Sequence, residues 1–229
     1  MKTDGTKKIP VVWRTSHEES IKRWKFRFIL MSLFYVAIIL LMVWLLVQQQ
    51  KTKYLVVLRK QELNVLRTKE NIYLVLRNRG ISLNQGLDIA DVTIRQSTKL
   101  NLPVSLILAV MKKESLFSLY PRSSQNAIGL MQVHPVTWEE YVGKLDLKGS
   151  PQSFFDPVTN TIVATHVLRD LYEYYKKNHV SEEEIWKSVL SAYYAGMTSL
   201  SQAGMMESSS NYVADVSRFK KEFDEKLQN

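Results

Sequence analysis

The stretch "LPVSLILAVMKKES", residues 102–115, decides the fold. Its segment from Leu102 to Met111 is apolar on every side of a helix, and a helix without a polar face must be buried. We therefore predict that this helix forms the core of an all-α domain. The helix ends on a carboxylate, Glu114, where partial burial and the negative end of the helix dipole both disfavour the ionised form.

Signals for further helices continue from about residue 82 to the C-terminus, and strand alternation is rare. Residues 86–99 have the spacing of an amphipathic helix. Residues that typically cap or open helices precede three others: Asn101 with Pro103, Asp156 with Pro157, and Ser181 with Glu184. Gly196 is a natural helix end. The last helix carries a stripe of Tyr212, Val216, Phe219, Phe223 and Leu227.

A membrane anchor is predicted before this domain. Residues 29–47 read "ILMSLFYVAIILLMVWLLV" without a charge, which is long enough to cross a hydrocarbon core of about 30 Å. The run continues into "QQQKTK" instead of ending at a small-residue cleavage site, so an uncleaved anchor fits better than a signal peptide. Residues 1–28 then form a basic tail, 48–84 a helical stalk or linker, and 85–229 the domain.

The charge pattern supports a membrane protein and argues against nucleic-acid binding. The net charge is +9, but residues 1–84 carry 16 Lys and Arg against 5 Asp and Glu, while residues 85–229 carry 15 against 17. Because the basic excess flanks the apolar segment, it is typical of membrane orientation or lipid contact. The flanks themselves favour a cytoplasmic N-terminus only slightly.

Composition excludes several kinds of site. The chain has no cysteine, which excludes disulfides, thiolate metal sites and cysteine nucleophiles. The histidines lack metal-ligand spacing, so we predict no metal and no cofactor. The stalk spacing fits a short coiled coil, with Glu62 in the seam, and fits a lone amphipathic helix equally.

A protonated Glu114 matches one particular chemistry. Cleavage of a glycosidic bond needs an acid that protonates the leaving oxygen, and a carboxyl group kept neutral near pH 7 supplies it. A glutamate in a Lys-Lys-Glu-Ser run is also ordinary for a solvated helix end. Taken alone, Glu114 leaves both interpretations open.

Five fragments in order resemble one family. They are "ESLF" (114–117), "SSQNAIGLMQ" (123–132), "DPVTN" (156–160), "AYYAG" (192–196) and "NYV" (211–213). Together they resemble the lysozyme-like domain of the soluble lytic transglycosylases, which is itself similar to goose-type lysozyme. The resemblance covers about residues 85–220 and implies an all-α, lysozyme-like catalytic domain.

The resemblance also implies roles for the matching residues. Glu114 is then the catalytic acid and base, Ser123 supports it by a hydrogen bond, and Tyr193 helps to orient its carboxylate. The expected substrate-binding residues are Gly129, Leu130, Met131, Gln132, Tyr194 and Tyr212. Asp156 and Asn160 are expected to be structural, as a helix cap and a polar anchor in the first turn.

The chain departs from the family pattern at three positions. Asn126 stands where a glycine is usual, and asparagine tolerates the positive φ that this loop needs. Tyr194 replaces the usual asparagine of "AYNAG", which changes the side chain available to the substrate. Ala164 replaces a common glycine in the long helix, a change that concerns packing.

The implied substrate is peptidoglycan, and the implied reaction forms 1,6-anhydro-N-acetylmuramic acid ends without water. The sequence pairs neither Glu139, Glu140 nor Asp146 with Glu114. Two alternatives stay open: a lysozyme-type hydrolase on the same fold, and a non-catalytic peptidoglycan-binding scaffold. Such a substrate places the N-terminus inside the bacterial cytoplasmic membrane and the domain outside. Self-association through the stalk, or a role in a secretion or division assembly, stays open too.

Overall fold

The structure, a computed structural model, describes residues 11–147, 154–177, 181–196 and 203–228. Within these ranges the chain is helical, with only isolated bridges from Ile128 to Arg122 and Val133. The helices are α1 (Val11–Arg77), α2 (Leu83–Leu100), α3 (Val104–Ser115), α4 (Pro135–Lys144), α5 (Pro157–Lys176), α6 (Glu182–Ala195) and α7 (Ala203–Gln228). The predicted all-α class is confirmed.

The contacts divide the chain into two compact units, Met1–Gln61 and Glu62–Asn229. In the first unit the described residues belong to α1, and the large apolar side chains of residues 29–47 are exposed. Among the described residues, α1 is the one helix whose length and composition suit a membrane span. Exposed apolar side chains over this length match the predicted anchor.

The second unit is built around α3. Every residue from Ser105 to Met111 is buried, as its unbroken apolar pattern predicts. α7 packs along α3, α2 packs against α3 and α5, and α6 packs between α5 and α7. Ile72 and Leu76, near the end of α1, are completely buried in the same core. The sequence divides the chain after residue 84, whereas the contacts divide it after Gln61.

The helix starts follow local signals with one exception. Asp156 accepts a hydrogen bond from the N–H of Thr159, and Ser181 accepts one from the N–H of Glu184, so both predicted caps are confirmed. The prediction for Asn101 is wrong. It adopts the left-handed conformation with φ 50° and ends α2, while Pro103 precedes α3 without a side-chain cap. Asparagine is common both just before a helix and just after one, so the local sequence does not distinguish the start of α3 from the end of α2.

The predictions for Gly196 and Ala164 can both be compared with the structure. Gly196 ends α6 with φ 76°, a conformation that glycine adopts without strain. Ala164, at the position of the family glycine, is completely buried on α5, which fits a packing role.

Candidate active site

Glu114 lies in the last turn of α3 and is held by α7. The helix ends at Leu116, whose φ of 50° is left-handed and whose N–H donates to the carbonyl of Lys112. The hydroxyl of Tyr212, on α7, donates a hydrogen bond of 2.5 Å to Oε1 of Glu114. Tyr212 is only 2 % exposed, so its hydroxyl bonds the carboxyl away from bulk water.

The surroundings raise the pKa of Glu114 to about 7, against an ordinary value of 4.5. Burial is the largest cause, because a carboxylate loses its hydration there. The hydrogen bond from Tyr212 and the positive charge of Lys113 act in the opposite direction and are smaller. The carboxyl group of Glu114 therefore exchanges its proton near neutral pH. This agrees with the prediction, made from the sequence, that its ionised form is disfavoured.

The two lysines before Glu114 are engaged with α7. Lys112 forms an ion pair of 2.6 Å with Glu222, and Lys113 forms one of 2.6 Å with Asp215. Both carboxylates lie on α7, so these pairs help to fix α7 along α3. That register places Tyr212 against Glu114.

Tyr193 occupies a different place from the predicted one. Its hydroxyl donates a 2.8 Å hydrogen bond to the backbone carbonyl of Met131. Burial, followed by the nearby charge of Glu114, raises the pKa of Tyr193 well above its ordinary range. Tyr193 thus lies in the field of Glu114, but the hydrogen bond to the carboxyl comes from Tyr212. The roles predicted for Tyr193 as catalytic support and for Tyr212 in substrate binding stay predictions.

Tyr194 packs against the tyrosine that holds Glu114. Its ring stacks on the ring of Tyr212 with centroids 4.9 Å apart and planes 27° apart. Tyr194 is also 46 % exposed, so part of its surface remains available to a ligand. An asparagine at this position could not form the stack.

The loop after α3 is held by its own hydrogen bonds. The hydroxyl of Ser123 accepts from the N–H of Ala127 at 3.0 Å, and the backbones of the two residues are bonded as well. Asn126 has φ 64°, which confirms that asparagine replaces glycine in a left-handed turn. Within the described part of the chain no hydrogen bond joins Ser123 to Glu114, so its support of the carboxyl stays a prediction.

Asn160 of α5 anchors the Gly-Leu-Met-Gln segment. This side chain is completely buried; it accepts from the N–H of Met131 at 2.8 Å and donates to the carbonyls of Ile128 and Phe154. Gly129 allows the close approach, because a Cβ there would lie 2.4 Å from the Asn160 amide nitrogen. Its φ of 81° also favours glycine. The predicted structural role of Asn160 is confirmed.

The four residues of this segment have different surroundings. Leu130 and Met131 are completely buried in the core, so in this structure neither side chain can contact a glycan, contrary to the prediction from the resemblance. They form the apolar support behind the loop. Gln132 has φ 48° and its amide donates to the carbonyls of Gly129 and Pro121. Gln132 remains at the surface of a groove.

A groove of about 960 Å³ runs from this loop along α4, α5 and the end of α6. Gln132, Tyr193 and Tyr194 line it. Glu114 and Tyr212 are not among the lining residues, but Tyr212, which bonds Glu114, stacks on the lining residue Tyr194. The carboxyl of Glu114 thus lies behind the groove wall, connected to it by Tyr212 and Tyr194.

One functional contact was missed by the sequence reasoning, namely the hydrogen bond from Tyr212 to Glu114. A signal for it existed, because Tyr212 falls on the buried stripe of the last helix and a buried tyrosine hydroxyl needs a partner. Asp170, Glu173 and Lys177 in the groove were also not singled out. They carry no motif, although their spacing places them along one side of α5. Only the packing of α4 against α5 makes that side a wall of the groove.

A family model described as the transglycosylase SLT domain matches residues 91–214, more than half of the chain. The matched range contains Glu114, the anchored loop and both stacked tyrosines. The chain belongs to this family.

Similar proteins carry related names. A membrane-bound lytic murein transglycosylase C from Mannheimia succiniciproducens is 35 % identical over 107 residues, which are 45 % of this chain and 30 % of that protein. One from Photorhabdus laumondii is 36 % identical over 111 residues, 47 % of this chain and 31 % of that protein. The soluble lytic murein transglycosylase of Escherichia coli K12 is 29 % identical over 92 residues, 39 % of this chain. The chain thus spans less than a third of these relatives.

Solved structures show the same fold. An inactive variant of the lytic transglycosylase Slt from Pseudomonas aeruginosa aligns with a TM-score of 0.51 at 21 % identity, covering 60 % of this chain and 24 % of that one. A 70-kDa soluble lytic transglycosylase in complex with bulgecin A aligns with a TM-score of 0.52 at 23 % identity, covering 61 % and 24 %. The domain is therefore lysozyme-like, as predicted.

Proposed function

We propose that this chain is a membrane-anchored lytic transglycosylase that cleaves the bond between N-acetylmuramic acid and N-acetylglucosamine in peptidoglycan. The observation that carries the proposal is Glu114, with a pKa of about 7, bonded to a buried tyrosine beside a long groove. Family membership and relatives named as murein transglycosylases support the same substrate.

Glu114 acts first as an acid. Burial and the charge of Glu114 raise the pKa of Tyr212 well above its ordinary range, so Tyr212 stays protonated and donates to Oε1. The acid proton then resides on Oε2. It passes to the glycosidic oxygen, the bond from that oxygen to C1 of the muramic acid breaks, and N-acetylglucosamine leaves with a free hydroxyl group.

Glu114 then acts as a base. The 2-acetamido group of the muramic acid stabilises the positive charge at C1, in place of a second carboxylate. The ionised Glu114 takes the proton of the C6 hydroxyl, and O6 bonds to C1 to close the 1,6-anhydro ring. No water enters, and Glu114 returns to its protonated form. A pKa near 7 makes both forms accessible at neutral pH.

A single carboxylate suffices for this route, and the surroundings of Glu114 agree with it. Burial raises its pKa, the hydrogen bond from Tyr212 and the charge of Lys113 lower it, and no neighbouring carboxylate among the described residues contributes. In a dyad, like charges would themselves raise one of the two pKa values. This favours the transglycosylase over a mechanism with paired carboxylates.

The proposal includes a location. Residues 29–47 would anchor the chain in the bacterial cytoplasmic membrane, with the N-terminus inside and the domain outside, where peptidoglycan lies. The exposed apolar surface of α1 over this range supports the anchor. The basic flanks are consistent with this orientation.

Product analysis tests the reaction. The full-length chain in detergent is incubated with purified peptidoglycan in water enriched in oxygen-18, and the released fragments are analysed by mass spectrometry. We expect 1,6-anhydro ends without the heavy isotope, and Glu114→Gln should lower the rate at least about 10³-fold because it removes the proton donor. Glu139→Gln, an exposed glutamate on α4, is the matched control and should retain activity.

Other products would contradict the proposal in distinct ways. Reducing ends that carry oxygen-18 would indicate a lysozyme-type hydrolase. Binding of peptidoglycan without any cleavage by the wild-type chain would indicate a non-catalytic scaffold.

A further inference from the structure

Tyr194 lies between the groove and the hydrogen-bonded pair of Tyr212 and Glu114. Its ring lines the groove and stacks on Tyr212, with centroids 4.9 Å apart. Tyr212 is 2 % exposed, whereas Tyr194 is 46 % exposed. Tyr194 therefore meets the groove with part of its surface and covers Tyr212 with another part. Since the hydroxyl of Tyr212 bonds Glu114, the ring of Tyr194 forms the layer between that pair and the groove.

The hydration of the Glu114 carboxyl decides how readily it ionises. Burial is the largest cause of its raised pKa, because a carboxylate without water is less stable than the neutral acid. An aromatic ring on the groove side of Tyr212 adds to that burial. An asparagine there, as in the family pattern, is smaller and polar, so it would leave the ring of Tyr212 open to water from the groove.

Several charged or titratable groups face Glu114. Lys113 precedes it on α3 and pairs with Asp215 of α7. Tyr212 of α7 donates a hydrogen bond to its carboxyl, and Tyr193 of α6 lies in its field. Replacing Tyr194 removes none of these groups. A changed titration of Glu114 in such a variant therefore measures the hydration of the carboxyl.

We propose that Tyr194 is a positioning residue for Glu114, whose ring holds Tyr212 against the carboxyl and keeps water of the groove away from the pair. This inference rests on the proposed function, because it gives Tyr194 a part in the same reaction. The role belongs to this chain, since an asparagine cannot stack on Tyr212. Glu114 itself is only partly buried, so the residue stays partly accessible while the ring covers Tyr212.

The pH profile of cleavage tests this role. In Tyr194→Asn, water reaches Tyr212 and the carboxylate regains hydration, so the pKa of Glu114 falls towards its ordinary value of 4.5. We expect the alkaline limb of kcat/KM to move down by about one pH unit. At pH 7 this lowers kcat/KM about fivefold, and the loss narrows at pH 5, where Glu114 is protonated in both chains. Tyr194→Phe keeps the ring and should leave the limb within about 0.3 of its wild-type pH.

Tyr174→Asn is the matched control. Tyr174 is 50 % exposed and lines the same groove, but its ring packs on Tyr175 of the same helix, so the variant should leave the alkaline limb in place. A limb that stays in place or moves up in Tyr194→Asn would overturn the role of Tyr194. An equal shift in Tyr194→Phe would overturn it too, since the ring would then not be the group that matters.

Stability measures the same effect without cleavage. Urea unfolding of the full-length chain in detergent is compared with and without Glu114→Gln, at pH 4.5 and 8, in the wild-type and the Tyr194→Asn backgrounds. Glu114→Gln gains stability over its parent as pH rises, because glutamine cannot ionise. A pKa of Glu114 lower by about one should reduce that gain about tenfold in the unfolding equilibrium constant.

An equal gain in the two backgrounds would overturn the inference about Tyr194 whatever the products of the reaction are. If the wild-type chain releases no 1,6-anhydro products, the proposed function fails, and the unfolding comparison still decides whether Tyr194 keeps water from Glu114.

Discussion

Tyr212 connects the chemistry of the site to its packing. Its hydroxyl donates to the carboxyl of Glu114, while its ring stacks on Tyr194 and lies 5.9 Å from the ammonium of Lys113. The hydrogen bond stabilises the ionised carboxylate and so opposes the effect of burial on its pKa. Tyr212 therefore keeps the pKa of Glu114 from rising further above neutrality.

Tyr212→Phe should change the pH profile as well as the rate. Without the hydroxyl the pKa of Glu114 rises, so its protonated form persists to higher pH. We expect the alkaline limb of kcat/KM to move up by about one pH unit, and kcat at pH 7 to fall roughly tenfold because the carboxyl loses its orientation. Rates of product formation across pH 5–9 measure both.

Tyr54→Phe, which removes an exposed hydroxyl in the first unit, is the matched control and should leave the profile unchanged. An alkaline limb that stays in place or moves to lower pH in Tyr212→Phe would contradict this account of the pKa.

The sequence located the carboxyl but not its partner. The apolar run before Glu114 is a local pattern, and burial at its end follows from it. The hydrogen bond to Tyr212 joins residues 98 positions apart, and its existence depends on how α7 lies along α3. Resemblance alone assigned the orienting role to Tyr193, whose hydroxyl bonds Met131 instead.

At the scale of elements, the loop of residues 121–133 takes its shape from α5. Asn160 makes hydrogen bonds to both sides of the turn at Gly129, and Gln132 bonds the loop backbone. These side-chain bonds add to the backbone bonds within the loop, and together they fix the position of Gln132 in the groove.

Asn160→Ala should destabilise the domain and disable the loop. The variant leaves the N–H of Met131 buried without its partner and removes one of the two hydrogen bonds to the carbonyl of Ile128. We expect a cost of about 1–3 kcal/mol in the free energy of unfolding. Urea unfolding of the full-length chain in detergent measures the loss, and peptidoglycan cleavage should fall with it.

Asn71→Ala provides the comparison, because Asn71 makes a 3.3 Å bond to the carbonyl of Lys226 at a site that is not fully buried. It should change stability by at most about 0.5 kcal/mol. Similar losses in the two variants would show that Asn160 does not anchor the loop.

Helix boundaries were predictable where the boundary residue is typical of only one kind of helix end. Asp156 before Pro157 and Ser181 before Glu184 are start signals with little alternative meaning, and both form caps. Asn101 suits a helix start and a helix end alike, and the structure uses it for the end. The position of α4 against α5, which forms part of the groove, has no local signal.

At the scale of the molecule, α1 shows what periodicity can and cannot predict. The charge-free run of residues 29–47 predicts an anchor by its length. The spacing that suggested a stalk continues into Ile72 and Leu76, which are buried in the second unit. A stripe facing a partner helix and a stripe facing the chain's own domain have the same spacing. Only the three-dimensional contacts distinguish them.

Glu114 also links the stability of the folded domain to pH. Its pKa is about 7 in the folded state, against 4.5 for an unperturbed glutamate, so the folded state binds the proton more tightly. The stabilisation is fully present below pH 4.5 and is lost as pH rises to 7. Because a glutamine cannot ionise, Glu114→Gln should be more stable than the wild-type chain by about 1–3 kcal/mol at pH 8, with the difference vanishing near pH 4.5.

Urea unfolding of both chains in detergent at pH 4.5, 6 and 8 measures the difference, with Glu139→Gln as the control for losing an exposed carboxylate. A constant difference across pH would mean that burial does not raise the pKa of Glu114. A Glu114→Gln chain that loses cleavage while gaining stability above pH 7 would instead show that the same buried carboxyl serves the reaction at the expense of the fold.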